Sequence, residues 1–578
     1  MKGLGLALFL AAAFGLPGAA KPLAEFMPRG AVALLETENL AVALRMWRFS
    51  RWHLEVQRSP QFQTFARGKD YQWWLAGRKV VETAMGMDTW TAAERLLGGK
   101  GAVGFYPGAN GGEPVAVVVL RVRDAATLGT LHGRLGLYLR FSGSGLRKGT
   151  LPGGVETWDV NGQFHVARRG DWLVVSRDRR LMTRTAGMLN VGGNPARSVA
   201  GSEGYKMYRA QMGNWHLANL FVDLRELART EGERLGISRK MEDGVVSFLL
   251  HGMAEMAAQS PYAGLTLDMG RAGFVLTAGV AGNAAEMDDG FRWFFSQRRA
   301  RGAPDVPRVP GMIAGATIHR DLAGWYGKRE ALLAKTALAD LHRMADALRV
   351  LHPGQVLERD VLPALGKTFT VVTARQDFKH LRGRPEQPLP AFAVVVDSKD
   401  APAGGRLLRS MFETLAQKIQ QEQQQGRPFQ PQLLEAVHRG VRIRYTKVVE
   451  DDNTNQAKLL PTVYNHQPAM AVVKDRFVLA NSAVMARAMV DGILDGKPDL
   501  GRGNRNFHLE TQPAELARML RDNHWEWLVE MMRRGGARDQ ANWETATLLK
   551  ALDSLRSLRL GTMVGREDFQ MKLEGRWN

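Results

Sequence analysis

Gly366-Lys367-Thr368 has the residues with which a phosphate-binding loop ends, so nucleotide binding is the first chemistry that the sequence suggests. The full loop also requires a glycine about five residues earlier, where this chain has Val361. It must lead from a strand into a helix, because the amide groups of the helix N-terminus face the phosphate. Here helix is predicted before Gly366 and a strand over residues 368–374. We therefore predict no nucleotide site and no cofactor.

A calcium loop is suggested, incompletely, by Asp451, Asn453 and Asn455, which fit its first, third and fifth positions. Its sixth position should be glycine and is Gln456. Its twelfth position should be glutamate and is Thr462. An ordinary polar loop is the prediction.

His251 and Glu255 are four residues apart on a predicted helix, and this spacing can place two metal ligands on one face. The 13 histidines form no His-Glu-x-x-His and no His-x-His pattern, so a core or solvated histidine is favoured. The chain has no cysteine, which excludes disulfides, thiol catalysis and thiolate-bound metal. We predict no metal site.

Serine nucleophile patterns are also incomplete. Ser238 has Gly236 before it, but Lys240 stands where the second glycine of Gly-x-Ser-x-Gly belongs. Ser-x-x-Lys does not occur. No catalytic residue is predicted, although a triad assembled only in three dimensions stays open.

Aromatic and basic residues lie together in MWRFSRWHLEV, residues 46–56. Such side chains can stack on bases or sugars and attract anions, whereas tryptophan is also a common core residue. The candidates for a binding surface are Trp47, Arg48, Arg51 and Trp52.

The elements that position these residues follow an export signal. Lys2 precedes the uncharged stretch Leu4 to Leu16, and small residues at Gly18 and Ala20 fit cleavage before Lys21. The stretch of 13 residues is shorter than the roughly 20 that span a bilayer, and no cysteine follows it for lipid attachment. We expect a periplasmic or secreted protein without a transmembrane segment in the mature chain.

The net charge is +20, which favours anionic partners such as lipid head groups, lipopolysaccharide or acidic polysaccharide. The positive residues are spread along the chain, so the charge can also be compositional. No specific nucleic acid partner is predicted. Another envelope protein is the other partner that we expect.

An internal repeat is the most informative pattern. The matching segments are 114–125 with 390–401, 170–184 with 474–487, 28–41 with 310–323, and ELAR at 226–229 and 515–518. Both copies end in an alternating-apolar hairpin, 265–280 and 558–573. Gly99-Lys100 precedes a strand as Gly366-Lys367 does, which explains the apparent phosphate loop as a repeated helix-to-strand turn.

The repeat defines the predicted domains. They are a signal peptide over 1–20, a first unit over 23–297, a basic proline-rich linker over 298–307 and a second unit over 308–578. A Gln-rich insertion, 417–432, reads as an exposed helix end and loop. Strands follow one another through hairpins, so we predict an α+β fold in which each unit is a mainly antiparallel sheet flanked by helices.

Four stretches of the first unit resemble a family of exported bacterial proteins known as a domain of unknown function (DUF3352-like). They are MPRGAVALLE (27–36), GMDTWTAAERLLGGKGAVGFY (86–106), VAVVVLRVRDAATL (115–128) and GDWLVVS (170–176). The resemblance implies an envelope location and transfers no catalytic residue.

The sequence favours a non-catalytic binding or scaffold protein of the envelope. A carrier or surface binder of anionic amphiphiles, and a hydrolase with a dispersed site, are the alternatives. The sequence therefore favours a non-catalytic protein over an enzyme without deciding between them.

Overall fold

A computed structural model of the chain describes most of its residues. These are residues 22–39, 41, 45, 48, 51–108, 112–130, 133, 146–213, 216–231, 240–296, 302–351, 354–378, 384–385, 388–399, 401–423, 431–448, 459–460, 465–496, 504–533 and 537–578. The signal peptide predicted over 1–20 lies outside them.

The chain divides into two compact units that differ in extent from the sequence units. Unit 1 is Met1–Gly236 with Gln259–Gly282, and unit 2 is Ile237–Ala258 with Asn283–Asn578. The described part of the predicted linker, residues 302–307, packs into unit 2, where Ala303 and Val306 are buried. Ala303 also donates its amide to the carbonyl of Arg505.

In the described part of unit 1, ten strands form an antiparallel sheet. They are β1 (Ala33–Thr37), β2 (Gly101–Tyr106), β3 (Val115–Arg121), β4 (Leu146–Leu151), β5 (Val155–Val160), β6 (Phe164–Arg169), β7 (Trp172–Ser176), β8 (Ala218–Asp223), β9 (Tyr262–Gly270) and β10 (Gly273–Ala281). Their order across the sheet is 10-9-8-1-2-3-7-6-5-4.

Seven helices of unit 1 have defined bounds among the described residues. They are α1 (Arg51–Arg58), α2 (Pro60–Arg67), α3 (Lys69–Met85), α4 (Thr89–Leu97), α5 (Arg179–Asn190), α6 (Glu203–Met212) and α7 (Leu224–Glu231). Two of these helices have an aspartate N-cap. The carboxylate of Asp88 accepts amide hydrogen bonds from the first turn of α4, and that of Asp178 accepts one from the first turn of α5. Asp124 caps a helical segment in the same way, because its carboxylate accepts the amides of Ala126 and Thr127.

The described residues of unit 2 also form a ten-stranded antiparallel sheet. Its strands are β11 (Met312–His319), β12 (Leu365–Ala374), β13 (Ala391–Ser398), β14 (Pro431–His438), β15 (Val441–Val448), β16 (Ala469–Val473), β17 (Arg476–Ala480), β18 (Arg505–Thr511), β19 (Leu555–Val564) and β20 (Asp568–Trp577). Numbered from one to ten along unit 2, they follow the same order across the sheet, 10-9-8-1-2-3-7-6-5-4.

The helices of unit 2 are α8 (Gly244–Gln259, whose last residue is assigned to unit 1), α9 (Leu322–Gly327), α10 (Arg329–Leu332), α11 (Lys335–Leu351), α12 (Ala401–Gln423), α13 (Ala483–Asp495), α14 (Pro513–Asp522), α15 (His524–Arg533) and α16 (Arg538–Ser554). The Gln-rich insertion contributes the end of α12, and residues 424–430 lie outside the described part. The chain is therefore α+β with large antiparallel sheets, as predicted.

Each unit has its own apolar core on one face of its sheet. In unit 1 the core lies between α5 and strands that include β3 and β7, with Val117, Val174 and Ala186 fully buried. In unit 2, α13 packs on β16 and β17, and Met489 and Val490 are fully buried. These helices are amphipathic, so burial of one face stabilises them against the sheet.

Candidate functional site

A cavity of about 1380 Å³ opens in unit 2 between α13, the segment 304–310 and strands β18 to β20. Its lining is Pro304, Asp305, Val306, Pro307, Arg308, Pro310, Lys474, Asp475, Arg476, Val484, Arg487, Ala488, Asp491, Gly492, Ile493, Asp495, Gly496, Arg505, His508, Glu510, Arg559, Gly561, Met563, Lys572 and Glu574. Seven of these residues are lysine or arginine and six are aspartate or glutamate. The cavity is therefore a strongly polar site.

The connection between α13 and β18, two elements that line this cavity, is shorter than its counterpart in unit 1. Between α13 and β18 the chain has only residues 496–504, whereas unit 1 has residues 191–217 between α5 and β8. The longer connection includes α6, which packs on β8, β9 and β10. Among the described residues, α13 is the only helix that contributes to the cavity lining.

The sheet face that α6 covers in unit 1 corresponds, strand by strand, to the sheet face that borders the cavity in unit 2. In unit 1, Tyr208 contacts Phe221 and donates its hydroxyl to Asn219, 3.3 Å away. Phe221 lies opposite Leu34 of β1, and Glu510 lies opposite Gly315 of β11. In unit 2 this face of the sheet is therefore open to the cavity, and it bears charge where unit 1 bears a buried aromatic ring.

Glu510 is the centre of a charge network on the cavity wall. Its carboxylate is 6% exposed and lies 3.0 Å and 3.2 Å from a guanidinium nitrogen of Arg308. Arg559, on the next strand, approaches the same carboxylate at 3.1 Å. Two guanidinium groups therefore share one carboxylate, which leaves an excess positive charge at this wall.

His508 lies on the same face of β18 as Glu510, two residues before it. Burial lowers the pKa of His508, and the positive charge of Arg505 lowers it further, while Asp305 and Glu510 act in the opposite direction. These effects together disfavour the positively charged form of the His508 imidazole relative to a free imidazole.

Most of the remaining charges form ion pairs. Arg505 pairs with Asp305 at 2.7 Å, and Lys572 with Glu574 at 2.6 Å. Asp491 and Asp495 both pair with Arg439, which lies outside the lining. The ion pair of Arg476 is with Asp397, at 3.4 Å.

Three lining charges have no ion pair among the described residues. Arg487 is exposed on α13, and Lys474 and Asp475 form the exposed turn between β16 and β17. The uncompensated charge of the rim is therefore positive. Among the described residues of the lining none is serine, threonine, tyrosine or cysteine, and their chemical groups are mainly ionic groups and one imidazole. The described residues also contain no group of three or more histidine or acidic side chains arranged for a metal ion.

The comparisons with known proteins do not identify a family. No protein-family profile matches the sequence, and no curated protein is significantly similar to it. Among solved structures, crystal form I of TP0453 matches 47% of this chain and 83% of its own, with 11% identity and a TM-score of 0.23. Crystal form III of TP0453 matches 45% and 80%, with 12% identity and a TM-score of 0.21. Similarity at this level does not establish a shared fold.

The binding residues predicted from sequence lie in unit 1 and are only partly described. Trp47 lies outside the described residues, as do the side chains of Arg51 and Trp52, whose backbone begins α1. Arg48 is half-buried, with a guanidinium nitrogen 3.7 Å from a carboxylate oxygen of Asp88. The structure thus describes one of these four side chains, in an ion pair.

The predicted exclusion of a phosphate loop agrees with the local structure. Gly366-Lys367-Thr368 lies within β12, and the ammonium group of Lys367 is 2.7 Å from a carboxylate oxygen of Asp321. In unit 1, Lys100 pairs in the same way with Glu38. In each unit the lysine, at the start of the second strand, therefore pairs with a carboxylate that follows the first strand.

The other sequence candidates are buried or undescribed. His251 is 1% exposed, and its Nδ1 lies 3.2 Å from the hydroxyl of Ser247, which is fully buried and accepts a bond from the Trp325 indole. A substrate cannot reach this serine–histidine pair without a rearrangement. Ser238 and the polar loop 451–456 lie outside the described residues.

No membrane-spanning candidate emerges from the described helices, since none is both long and apolar enough.

Sequence reasoning missed Glu510, His508 and Arg559. The available signal was RNFHLET, residues 505–511, in which the polar His508 and Glu510 alternate with the apolar Phe507 and Leu509. Polar residues at alternate positions of a central strand indicate either a solvated face or a site.

Proposed function

We propose that this chain is an exported, non-catalytic binding protein of the bacterial envelope, built by tandem duplication, with its ligand site in the unit 2 cavity. The identical strand order of the two sheets supports the duplication. The same hydrogen bond also occurs next to the first and eighth strands of both units: the amide of Asp223 donates to the carbonyl of Val32, and the amide of Gln512 donates to the carbonyl of Ile313. If the chain is exported and the signal peptide is cleaved, N-terminal sequencing of the mature protein should give Lys21 as its first residue.

The observation that carries the binding role is the difference between two corresponding sheet faces. Unit 1 covers its face with α6, whereas unit 2 leaves its face open to a cavity lined by charged groups. The cost of removing a buried carboxylate from water offsets much of its attraction to a cation, so the ion pairs of Glu510 add little net stability compared with apolar packing. Recognition of a ligand gives these groups a function.

Filling the cavity tests the proposal. Gly561 lines it, and a Cβ atom there would meet only the Phe507 carbonyl oxygen at 3.7 Å, so the backbone can accept a side chain. We expect Gly561→Trp to abolish ligand-induced increases in Tm, measured with a library of neutral, cationic and anionic metabolites. Gly270→Trp is the control, because a Cβ at Gly270 meets nothing within 4 Å and this residue ends β9.

Two results would contradict the cavity as the ligand site. One is a ligand that stabilises the wild-type chain and Gly561→Trp equally. The other is the failure of every ligand class to raise the Tm of the wild-type chain.

A surface binder of anionic amphiphiles is the second candidate, favoured by α1 to α3. Residues 51–85 contain six lysine or arginine and three acidic residues. Their exposed apolar side chains include Leu54, 51% exposed, and Phe65, 53% exposed. Phe65 also contacts Phe62 and Tyr71, which gives an aromatic cluster flanked by positive charge. Helices with this composition bind at anionic lipid surfaces.

Co-sedimentation with vesicles tests the second candidate. We expect binding to phosphatidylglycerol vesicles at low salt and a decrease for Leu54→Ser/Phe65→Ser. Phe164→Ser removes another exposed phenyl group of unit 1 and should leave binding unchanged. Equal binding of both variants would remove these helices as the lipid-binding surface.

A further inference from the structure

We infer that the unit 2 cavity recognises an oxyanion of the phosphate type, with Arg487 and Lys474 as its primary contacts. This inference rests on the proposed binding function and names the ligand chemistry. The phosphate group can belong to a small soluble molecule or to a lipid head group, and the experiment below distinguishes these sources.

The charge balance of the cavity favours an anion over a cation. Five of its six carboxylates already have a cationic partner within the described residues. Only Asp475 has no such partner, and Lys474 is next to it in the chain. A cationic ligand would therefore meet one unpaired carboxylate, that of Asp475, and would have to displace arginine or lysine from the others. An anion meets two unpaired cations, Arg487 and Lys474.

The two primary contacts are held by ordered backbone. Lys474 has φ 55° in the tight turn between β16 and β17, and it is exposed at the cavity rim. Arg487 lies in the first half of α13, whose N-cap Ser482 accepts the amide of Met485. Because guanidinium is planar and donates through parallel N–H groups, Arg487 can bind two oxygens of one phosphate.

The inner wall offers a second positive region. Arg308 and Arg559 share the single negative charge of Glu510. The imidazole of His508 carries no negative charge, and Gly561, opposite it on β19, leaves space beside it. A ligand with a second oxyanion can therefore approach this wall while its first group contacts the rim.

Apolar residues also line the cavity. Val484 of α13 and Met563 of β19 contribute apolar surface between the charged groups, as do prolines of the segment 304–310. Such a mixture suits an oxyanion attached to an organic group. It is consistent with both a small phosphorylated molecule and a phospholipid head group.

The test uses the full-length mature chain and two probes. Calorimetric titration with inorganic pyrophosphate measures binding of a free phosphate compound, and co-sedimentation with phosphatidylglycerol vesicles measures binding of a lipid head group. The variant is Arg487→Glu. The matched control is Arg184→Glu, which makes the same charge change at an exposed arginine on α5 of unit 1 that has no ion pair among the described residues.

We expect at least one probe to bind the wild-type chain, and Arg487→Glu to weaken that binding about tenfold or more while Arg184→Glu leaves it unchanged. Arg487→Lys should give an intermediate affinity, because lysine keeps the charge without the planar fork. Loss of pyrophosphate binding identifies a soluble ligand, and loss of vesicle binding alone identifies a lipid head group.

Equal weakening by Arg487→Glu and Arg184→Glu would overturn the inference, since it would show general charge attraction. Failure of both probes to bind would also overturn it. If a neutral or cationic ligand stabilises the wild-type chain and Gly561→Trp abolishes the effect, the binding function stands and only the anion assignment falls.

Discussion

The guanidinium carbon of Arg320 lies 3.5 Å from the centre of the Phe294 ring, and the same side chain donates a 3.1 Å hydrogen bond to the Phe294 carbonyl. Arg320 is 2% exposed. It also donates to the carbonyls of Phe248 and Leu249 in α8, each at 3.0 Å. One side chain at the end of β11 therefore joins α8 and the segment around Phe294 to unit 2.

This contact explains why the compact units differ from the sequence units. The repeat pattern assigned residues up to 297 to the first unit, but α8 and residues 283–296 group with unit 2. Arg320 has no carboxylate partner among the described residues, and burial lowers its pKa to about 9. The aromatic ring and the carbonyl oxygens compensate its charge in place of a carboxylate.

Replacing Arg320 with lysine should destabilise unit 2 by about 2–4 kcal/mol, because an ammonium group cannot donate to all the carbonyls at once. Urea unfolding would measure the loss, and hydrogen exchange should accelerate in α8. The control is Arg343→Lys on α11, which is 79% exposed and should change the free energy of unfolding by less than about 0.5 kcal/mol. Equal effects of the two variants would contradict this role for Arg320.

Glu36 should make unit 1 less stable as the pH rises. Its carboxyl group is buried and accepts the amide of Ala24 and the hydroxyl of Tyr205. Burial raises the pKa of Glu36, although the charge of Arg209 and these two hydrogen bonds oppose the shift. The folded state thus retains a proton that the unfolded state releases above pH about 4.5, so stability falls as the pH increases through the folded-state pKa.

Substitution of Glu36 by glutamine should remove this component of the pH dependence. Hydrogen exchange of residues 22–37 between pH 4 and pH 8, corrected for intrinsic rates, would measure it. Glu203→Gln is the control, because Glu203 is 68% exposed and should leave the pH profile unchanged. A profile for Glu36→Gln that matches the wild-type profile would show that Glu36 does not titrate differently on folding.

Sequence patterns located the strands better than their registers. The segments around 114–125 and 390–401 were predicted as corresponding strands, and they are third in order in their units. The alignment of Pro28 with Pro310, however, is displaced by one residue from the hydrogen bonds, which place Val32 with Ile313. Prolines in the turn before a strand do not fix its register, and a shift of one residue exchanges the two faces of the strand.

The candidate site was harder to predict for a physical reason. Arg308, Glu510 and Arg559 are separated by 202 and 49 residues, and only strand pairing and the path of the segment 304–310 bring them together. The alternation of polar and apolar residues in β18 indicates that one face of this strand is polar. It does not indicate which side chains of other elements contact that face. The matching repeat segments also do not include the connection after α13, where the two units differ in length.

Gly492 should be required for the path of the segment 304–310. A Cβ atom at this residue of α13 would lie 2.7 Å from the Arg308 carbonyl oxygen, which is too close for an unstrained contact. We expect Gly492→Ala to destabilise unit 2 by about 1–3 kcal/mol in urea unfolding, despite the higher helix propensity of alanine. Gly187 in α5 has open space at its Cβ, so Gly187→Ala should instead stabilise the chain by up to about 1 kcal/mol. Effects of the same sign would contradict this reading of the contact.

Glu510→Gln should affect stability and anion binding in opposite directions. Neutralising this carboxylate leaves Arg308 and Arg559 without their shared negative charge, so we expect a loss of about 1–3 kcal/mol in the free energy of unfolding. Arg308 is 64% exposed, and water therefore limits the loss. The two freed guanidinium groups should at the same time strengthen binding of pyrophosphate.

Glu574→Gln is the matched control for this prediction. Glu574 lines the same cavity and pairs with Lys572, but its side chain is 34% exposed, so the stability cost should stay below about 1 kcal/mol. Because this variant also removes one negative charge, it corrects for the general increase in anion attraction. Glu510→Gln should increase pyrophosphate affinity more than Glu574→Gln does, since it frees two cations rather than one. Equal increases would show that Glu510 does not compete with the ligand for Arg308 and Arg559.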